Sequence, residues 1–343
     1  MESKRRLAVV VDEPASSQVD GPRQDYLAFA ERLGAEVRRP SPQPARVQRQ
    51  WRRLQRWLRL DMSLAWAVTH SSPAYAGFLA TSEKTGLPLA LLRPSAPLVV
   101  VGHKLNSRSK QLLWRLGVQR QIAHLITVSA TQADYAVRHL RLPAERVSFL
   151  FNPVDEEFFA PLPDQTEEGF VLAVGREQRD YPTLLRAVAG TPLKVVIVAS
   201  SLWSYSRMDI PDTAQVTVRS RLSYPELRRL YAAARLVVLP LFDVDYAAGV
   251  NGLQEAMAMA RPLVVSRTRG LTGYVAEGET GVTTPPGNPE ALRGAMLRLW
   301  DQPAERARLG ANARRAVEDR FRFDGYIDRI VQIVQSQNRP ARV

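Results

Sequence analysis

A chain of 343 residues exceeds one ordinary domain and suits two of roughly 150 to 200 residues, and its 45% hydrophobic content can bury two cores, which excludes global disorder. It has no cysteine, so a disulfide framework, a thiolate metal site and a thiol nucleophile are all excluded. The 47 Lys and Arg against 34 Asp and Glu give a formal charge of +13, and 23 of the basic residues stand against 14 acidic ones within residues 1–160. Such a field suits a polyanionic partner, whether nucleic acid, an anionic bilayer or a phosphorylated substrate, without choosing among them.

In chain order, the charged Met1–Arg6 runs straight into Leu7-Ala-Val-Val-Val11, which is too short for a signal-peptide core and reads as a first buried strand. Gly21 follows in the next loop. Eight arginines and no Asp or Glu lie between Arg38 and Arg59, interleaved with Trp51, Leu54, Trp57 and Leu58. At 100° per residue the apolar four fall on one narrow arc opposite the arginines, which predicts a cationic amphipathic helix over 46–60. That helix suits an anionic membrane surface, or packs its Trp face on the sheet as an ordinary domain helix. The apolar stretch Met62–Ala80 is broken by His70, Ser71, Ser72 and Pro73 and does not read as a membrane span, so the chain is expected in the cytoplasm, with peripheral contact to the inner face of the membrane.

Short apolar runs alternate with segments of helical period, the pattern of parallel sheets with helices on both faces. Strands are expected at Leu7–Val11, Leu64–Val68, Leu98–Val101, Leu125–Val128 and Val147–Phe151. A second series follows at Val171–Val174, Lys194–Val198, Gln215–Val218, Leu236–Leu239 and Pro262–Val265. Between the two lies a stretch rich in breakers after Asn152-Pro-Val-Asp155. The expected division is a first α/β domain over 1–160, a second over 161–320, and a C-terminal helix within 321–343 that packs back toward the first domain.

The segment Ala247-Ala-Gly-Val-Asn-Gly-Leu-Gln-Glu255 carries the most chemistry. Gly249 and Gly252 let the backbone approach a ligand ahead of a helix expected to begin near Leu253, so that the amides of Val250, Asn251, Gly252 and Leu253 face a diphosphate. Glu255 is expected in the first turn, where it either accepts sugar or ribose hydroxyls or merely complements the helix dipole. Val174-Gly-Arg-Glu-Gln-Arg179 places Arg176 and Arg179 in a loop at the carboxyl end of a strand, where such sheets bind ligands. Leu98-Val-Val-Val-Gly-His103 ends a strand on a histidine that can hydrogen-bond a hydroxyl or shuttle a proton. Asp243-Val-Asp245 has the spacing of a Mg²⁺ site, but in a loop it is equally explained by exposure to solvent. His70, His124 and His139 are read as structural.

Gln254-Glu-Ala-Met-Ala-Met-Ala-Arg-Pro-Leu-Val-Val265, followed by Gly278-Glu-Thr-Gly281 and Pro285-Pro-Gly-Asn-Pro-Glu-Ala-Leu292, resembles the retaining family-4 glycosyltransferases, the glycosyl transferases group 1. The resemblance covers about the whole second half. It implies a GT-B fold of two Rossmann-like, doubly wound domains facing a cleft, and transfer from a nucleotide-sugar donor with retention. It implies no cofactor and no metal, since fixed cations and helix amides can take the charge of the leaving diphosphate. In that family Glu255 binds the donor's ribose, Arg176 neutralises the diphosphate, and a histidine at the place of His103 lies at the acceptor. A companion lysine is missing, with Arg179 as candidate replacement. The first glutamate of the family's Glu-x7-Glu motif is Ala247 here, and Asp243, Asp245 or the backbone of Gly249–Asn251 are candidate substitutes. Asp20-Gly21-Pro22 departs from the family's glycine pair. The alternatives are a catalytically impaired sugar-nucleotide-binding relative and a basic nucleic-acid-binding protein. The latter lacks zinc spacing or RNP-like aromatics, so no nucleic-acid partner is expected.

Overall fold

The structure is a computed structural model that describes residues 6–12, 20–40, 60–70, 74–92, 95–199, 215–220 and 222–338. The arginine-rich stretch over 46–60 lies, save for Leu60, outside the described residues. The chain divides into two compact units. The first holds the N-terminal strand, Arg23–Leu150 and the chain from Asp324 onward; the second holds Phe151–Phe323 and the short piece around Gly21.

In the first unit six strands form one parallel sheet: β1 (Leu7–Val10), β2 (Glu36–Arg38), β3 (Gly77–Ala80), β4 (Leu98–Gly102), β5 (His124–Thr127) and β6 (Val147–Phe149). Their order is β2-β1-β3-β4-β5-β6, so the direction of winding reverses between β1 and β3. The central strands β1, β3 and β4 are unbroken apolar runs, as expected of a parallel sheet covered by helices. Helices α1 (Asp25–Leu33), α2 (Met62–Thr69), α3 (Glu83–Leu91), α4 (Gln111–Arg115) and α5 (Ala130–Arg138) alternate with them.

The second unit repeats the design with β7 (Val171–Val174), β8 (Val195–Val198), β9 (Val216–Arg219), β10 (Leu236–Leu239), β11 (Leu263–Ser266) and β12 (Val282–Thr284). The order β12-β11-β10-β7-β8-β9 puts its reversal between β7 and β10. Its helices are α6 (Tyr181–Val188), α7 (Tyr224–Ala233), α8 (Val250–Ala258), α9 (Pro289–Trp300) and α10 (Pro303–Arg320). In open α/β sheets the carboxyl ends of the strands flanking a reversal leave a crevice for ligands, so each unit has one such place.

Two expectations of the sequence fail here. Leu64–Val68 is part of helix α2, and the strand lies later, at Gly77–Ala80. Five apolar residues in a row carry no period, and Asp61 decides the matter by accepting a hydrogen bond from Leu64 N at 2.9 Å and capping the helix. Met62, Leu64, Ala65 and Val68 then face inward while Trp66 is exposed. Strands β2 and β12 were also missed; they are three-residue edge strands, and β2 carries Glu36 and Arg38, charges that suit an edge.

The last helix, α11 (Phe323–Gln337), buries Ile327, Ile330 and Val334. Within the first unit Arg23 meets Asp324 at 3.1 Å, and Arg32 bonds both Asp324 and Asp328. These pairs are exposed and fix orientation more than they stabilise.

Candidate functional site

The loop after β7 is shaped by one buried cation. Gly175 (φ +102°) and Gln178 (φ +55°) turn the chain so that Arg179, only 5% exposed, points back beneath it. Arg179 Nε donates to Val174 O at 2.7 Å and Nη1 to Glu177 O at 2.9 Å. Phe242 N donates to Gln178 O and Asp180 N to Pro240 O, which stitches this loop to the one after β10, across the reversal. Burial pulls the Arg179 guanidinium below its usual pKa, opposed by Tyr181, Tyr231, Glu177 and Glu255. No carboxylate stands at ion-pair distance from Arg179 among the described residues. Arg176, the other expected cation, is half-buried in the same loop.

This guanidinium also explains two of the glycines. A Cβ on Gly249 would come within 2.9 Å of Arg179 Nη1 and one on Gly175 would collide with Nη2, whereas one on Gly252 would lie 3.6 Å from Nη2, an ordinary contact. The sequence reading assigned Gly249 and Gly252 to close approach of a ligand; at Gly249 the structure also brings Arg179 close. Gly21 has a structural reason too, since a Cβ there would sit 2.8 Å from the ring of Tyr224.

Helix α8 begins at Val250, not near Leu253, with Gly249 as its N-cap at φ +83°. The amides of Asn251 and Gly252 therefore stand at the positive end of the helix, beside Arg179. Val250 and Leu253 bury their side chains, and their amides, expected to face a diphosphate, are already engaged, donating to Ala247 O at 3.3 Å and to Gly249 O at 3.0 Å. Asn251 Oδ1 accepts from Asn152 Nδ2 at 3.0 Å, which holds that side chain at the helix start. With the helix starting earlier, Glu255 falls in the second turn and not the first, too deep to complement the dipole. Its Oε2 accepts from the Tyr231 hydroxyl at 2.8 Å. Burial pushes the Glu255 carboxyl up, opposed by that hydrogen bond and by Arg179, and burial likewise pushes Tyr231 well up.

Ala247 is small and 9% exposed. The preceding Tyr246 donates its hydroxyl to Glu177 Oε1 at 2.9 Å, which ties a carboxylate from the Arg176 loop to this stretch, beside the candidates Asp243, Asp245 and the backbone of Gly249–Asn251 that the sequence suggested. Asp243 is exposed and Asp245 half-buried.

In the first unit His103 follows β4, one strand beyond the reversal. Its Nε2 is 3.2 Å from Thr81 O. A carbonyl only accepts, so Nε2 carries the proton in the neutral ring and Nδ1 keeps its lone pair for a donor such as a hydroxyl. Asp12, nearly buried, pairs with Lys84 Nζ at 3.1 Å. Asp25 is drawn up by burial, offset by its hydrogen bond from Tyr26 N and by His103. Beneath them Glu83 and Lys110 form a buried ion pair. The other histidines are engaged structurally: His124 with Ser148 at 2.9 Å, His139 stacked on Tyr135, and His70 on Trp66. Among the described residues no group of His, Asp or Glu is arranged to hold a metal, and no helix is long and apolar enough to cross a membrane.

Comparison with known proteins finds two family matches. Residues 6–158 match "Glycosyltransferase Family 4" and residues 171–302 match "Glycosyl transferases group 1". The chain belongs to the GT-B glycosyltransferases. It is 31% identical over 150 residues to the D-rhamnosyltransferase WbpZ of Pseudomonas aeruginosa, covering 42% of this chain and 39% of that protein. It is 26% identical over 258 residues to O-antigen chain mannosyltransferase C of Escherichia coli, covering 70% and 69%. The chain thus spans about two fifths of the first relative's length. The structure of Anabaena HepE in complex with UDP-glucose superposes with a TM-score of 0.73 at 17% identity, covering 96% of this chain and 99% of that one.

In this glycosyltransferase, Arg176, Arg179, Gly249–Leu253 and Glu255 come together around the reversal of the second unit. In the first unit His103 follows β4, one strand beyond the reversal, and reaches the loop after β3 through Thr81 O. Sequence reasoning missed Tyr231, Glu177 with Tyr246, and the acidic neighbours of His103. They act through contacts 20 to 78 positions apart, and no spacing signals them.

The Glu255 shift has a thermodynamic consequence. Its folded-state pKa lies above the ordinary 4.5, so the native chain holds the extra proton; the associated stability is present at low pH and lost as pH rises through the folded value. Glu255→Gln is therefore expected to raise the thermal midpoint at about pH 8 and to leave it nearly unchanged at about pH 4. Equal or lower midpoints for the variant at the higher pH would contradict the assignment.

Proposed function

We propose that this chain transfers a glycosyl group from a nucleoside-diphosphate sugar to an acceptor hydroxyl, with retention at the anomeric carbon and without a required metal. The observation that carries the reading is a desolvated cation, Arg179, beside the positive end of α8 with no carboxylate at ion-pair distance among the described residues. A buried charge of one sign calls for a ligand of the other, and a diphosphate brings two negative groups at that spacing. Arg176 and the amides of Asn251 and Gly252 join Arg179 in holding it, and these fixed charges do the work a metal would otherwise do on the leaving group.

Glu255, aimed by Tyr231, takes the ribose hydroxyls. Glu177, Asp243, Asp245 or the backbone of Gly249–Asn251 take those of the sugar in the absence of a glutamate at position 247. His103 Nδ1 accepts a hydrogen bond from the acceptor hydroxyl. The binding of UDP-glucose by HepE supports a sugar-nucleotide donor, and the rhamnosyl- and mannosyltransferase names of the relatives support a hexosyl group.

A thermal-shift panel of UDP, GDP, ADP, dTDP and CMP with their sugar conjugates tests the donor site. One nucleoside diphosphate at about a hundred times its Kd is expected to add roughly 2.7 kcal/mol to the wild type and nothing to Glu255→Ala or Arg176→Ala. No shift from any of them, alongside a shift from a short oligonucleotide, would sink the transferase reading.

We further propose peripheral contact with an anionic membrane at the cytoplasmic face, and a lipid-linked acceptor. Around α4 the solvent-facing residues include Leu112 (48% exposed) and Leu116 (63%), with Arg108, Arg115 and Arg120 also exposed beside them. From Lys84 to Ala133 the chain has seven Lys and Arg and no Asp or Glu. Apolar side chains ringed by arginines suit a headgroup boundary. Co-sedimentation with vesicles containing phosphatidylglycerol, absent with phosphatidylcholine alone and lost in Leu112→Glu/Leu116→Glu, is the expected result. Binding that ignores lipid charge, or no binding, would reject it.

A further inference from the structure

The loop that carries His103 is held at every peptide group by buried side chains. Glu83, the first residue of α3, accepts from His103 N at Oε2 and from Lys104 N at Oε1, both at 2.9 Å. Leu105 N donates to Gln132 Oε1 at 2.7 Å. On the carbonyl side, Lys110 Nζ donates to Lys104 O at 2.7 Å and Trp114 Nε1 to Leu105 O at 2.8 Å. Lys110 closes the arrangement by pairing with Glu83 itself, and both side chains are less than a tenth exposed. Lys110 and His103 outweigh the effect of burial and keep the Glu83 carboxyl well below the ordinary carboxylate range, so it stays charged.

A buried ion pair is a poor source of stability, because desolvating both ions offsets most of their attraction and apolar residues of similar volume commonly do as well. What apolar residues cannot do is hold two consecutive backbone amides. The carboxylate here spends both oxygens on the peptide groups of the residue that meets the acceptor and of its neighbour. The ring is then held by one weaker bond, from Nε2 to Thr81 O, which has its effect only if the backbone beneath it is fixed.

We propose that Glu83, clamped by Lys110, is a positioning residue for the transfer: it fixes the backbone at His103 so that the ring presents Nδ1, and not Nε2, to the acceptor. This rests on the reading that His103 meets the acceptor.

The test uses the full chain labelled with ¹³C and ¹⁵N at histidine. The chain has four histidines, and His103→Ala assigns the His103 signals. Alongside the spectra, turnover is read as nucleoside diphosphate released from the sugar nucleotide found in the thermal panel, with water as acceptor. The wild type is expected to show His103 as the single Nε2–H tautomer. Glu83→Met/Lys110→Met is expected to keep its thermal midpoint within about 3 °C and its nucleotide-induced shift. Its His103 signals should move to the average of both tautomers, and kcat should fall about tenfold or more at unchanged donor KM. Unmoved His103 signals in the folded double variant, or unchanged kcat, would overturn the proposal. Should the double variant not fold, Glu83→Asp retracts the carboxylate by one methylene with charge kept, and the same two readouts decide. If His103→Ala itself leaves turnover intact, the acceptor role fails, and with it the clamp's part in transfer, while the tautomer readout still reports whether Glu83 orients the ring.

Discussion

A buried guanidinium with no carboxylate at ion-pair distance among the described residues is the constraint around which the loops after β7 and β10 are arranged. Taking Arg179 out of water costs several kcal/mol that two carbonyls, from Val174 and Glu177, offset in part. The chain accommodates it by leaving out side chains at Gly175 and Gly249, and by turning through φ +102° and +83° there. Tyr181, fully buried, donates its hydroxyl to Gly175 O at 2.5 Å and has its own pKa pushed up to about 12 by burial, so it remains a neutral prop for that turn. The start of α8 adds its positive end to the same spot. A fold under pressure for stability alone would not place these together. On the proposed function the strain is the binding site in its empty form, and the diphosphate supplies the missing charge.

The first unit handles buried charge the opposite way. Glu83 and Lys110 neutralise one another, and the pair is spent on holding the backbone of His103–Leu105. Among the described residues one unit keeps a buried guanidinium without an ion-pair partner, and the other pairs its buried charges at the backbone of His103–Leu105. Both arrangements sit at a reversal of strand order, where diverging connections open room above the carboxyl ends of the strands.

Much of this was legible in the sequence and some was not, for physical reasons. Runs such as Val171–Val174 and Leu236–Leu239 read correctly because strands buried on both faces have no polar alternation to confuse them. Leu64–Val68 looks the same by composition and is a helix, because a cap three residues upstream, and not hydropathy, sets its conformation. Arg176, Arg179 and the glycines of Ala247–Glu255 were visible as a charged loop and a turn before a helix. The reason for those glycines was not, because Arg179 stands 70 positions from Gly249 and meets it only through the adjacency of β7 and β10. Tyr231 beneath Glu255 and Glu83 beneath His103 are likewise tertiary contacts between residues with no motif of their own.

The central claim is that Arg179 is retained for binding and at the expense of stability. Its most direct test is to measure Arg179→Met twice, once by equilibrium unfolding without ligand and once by calorimetric titration with the nucleoside diphosphate that stabilises the wild type. The ligand-free variant is expected to be at least as stable as the wild type while its affinity falls at least about a hundredfold, in keeping with the loss of a charge-assisted contact in a desolvated site. A variant that is less stable and binds the diphosphate as tightly as the wild type would show that Arg179 is a structural member of the core and has no part in the donor site.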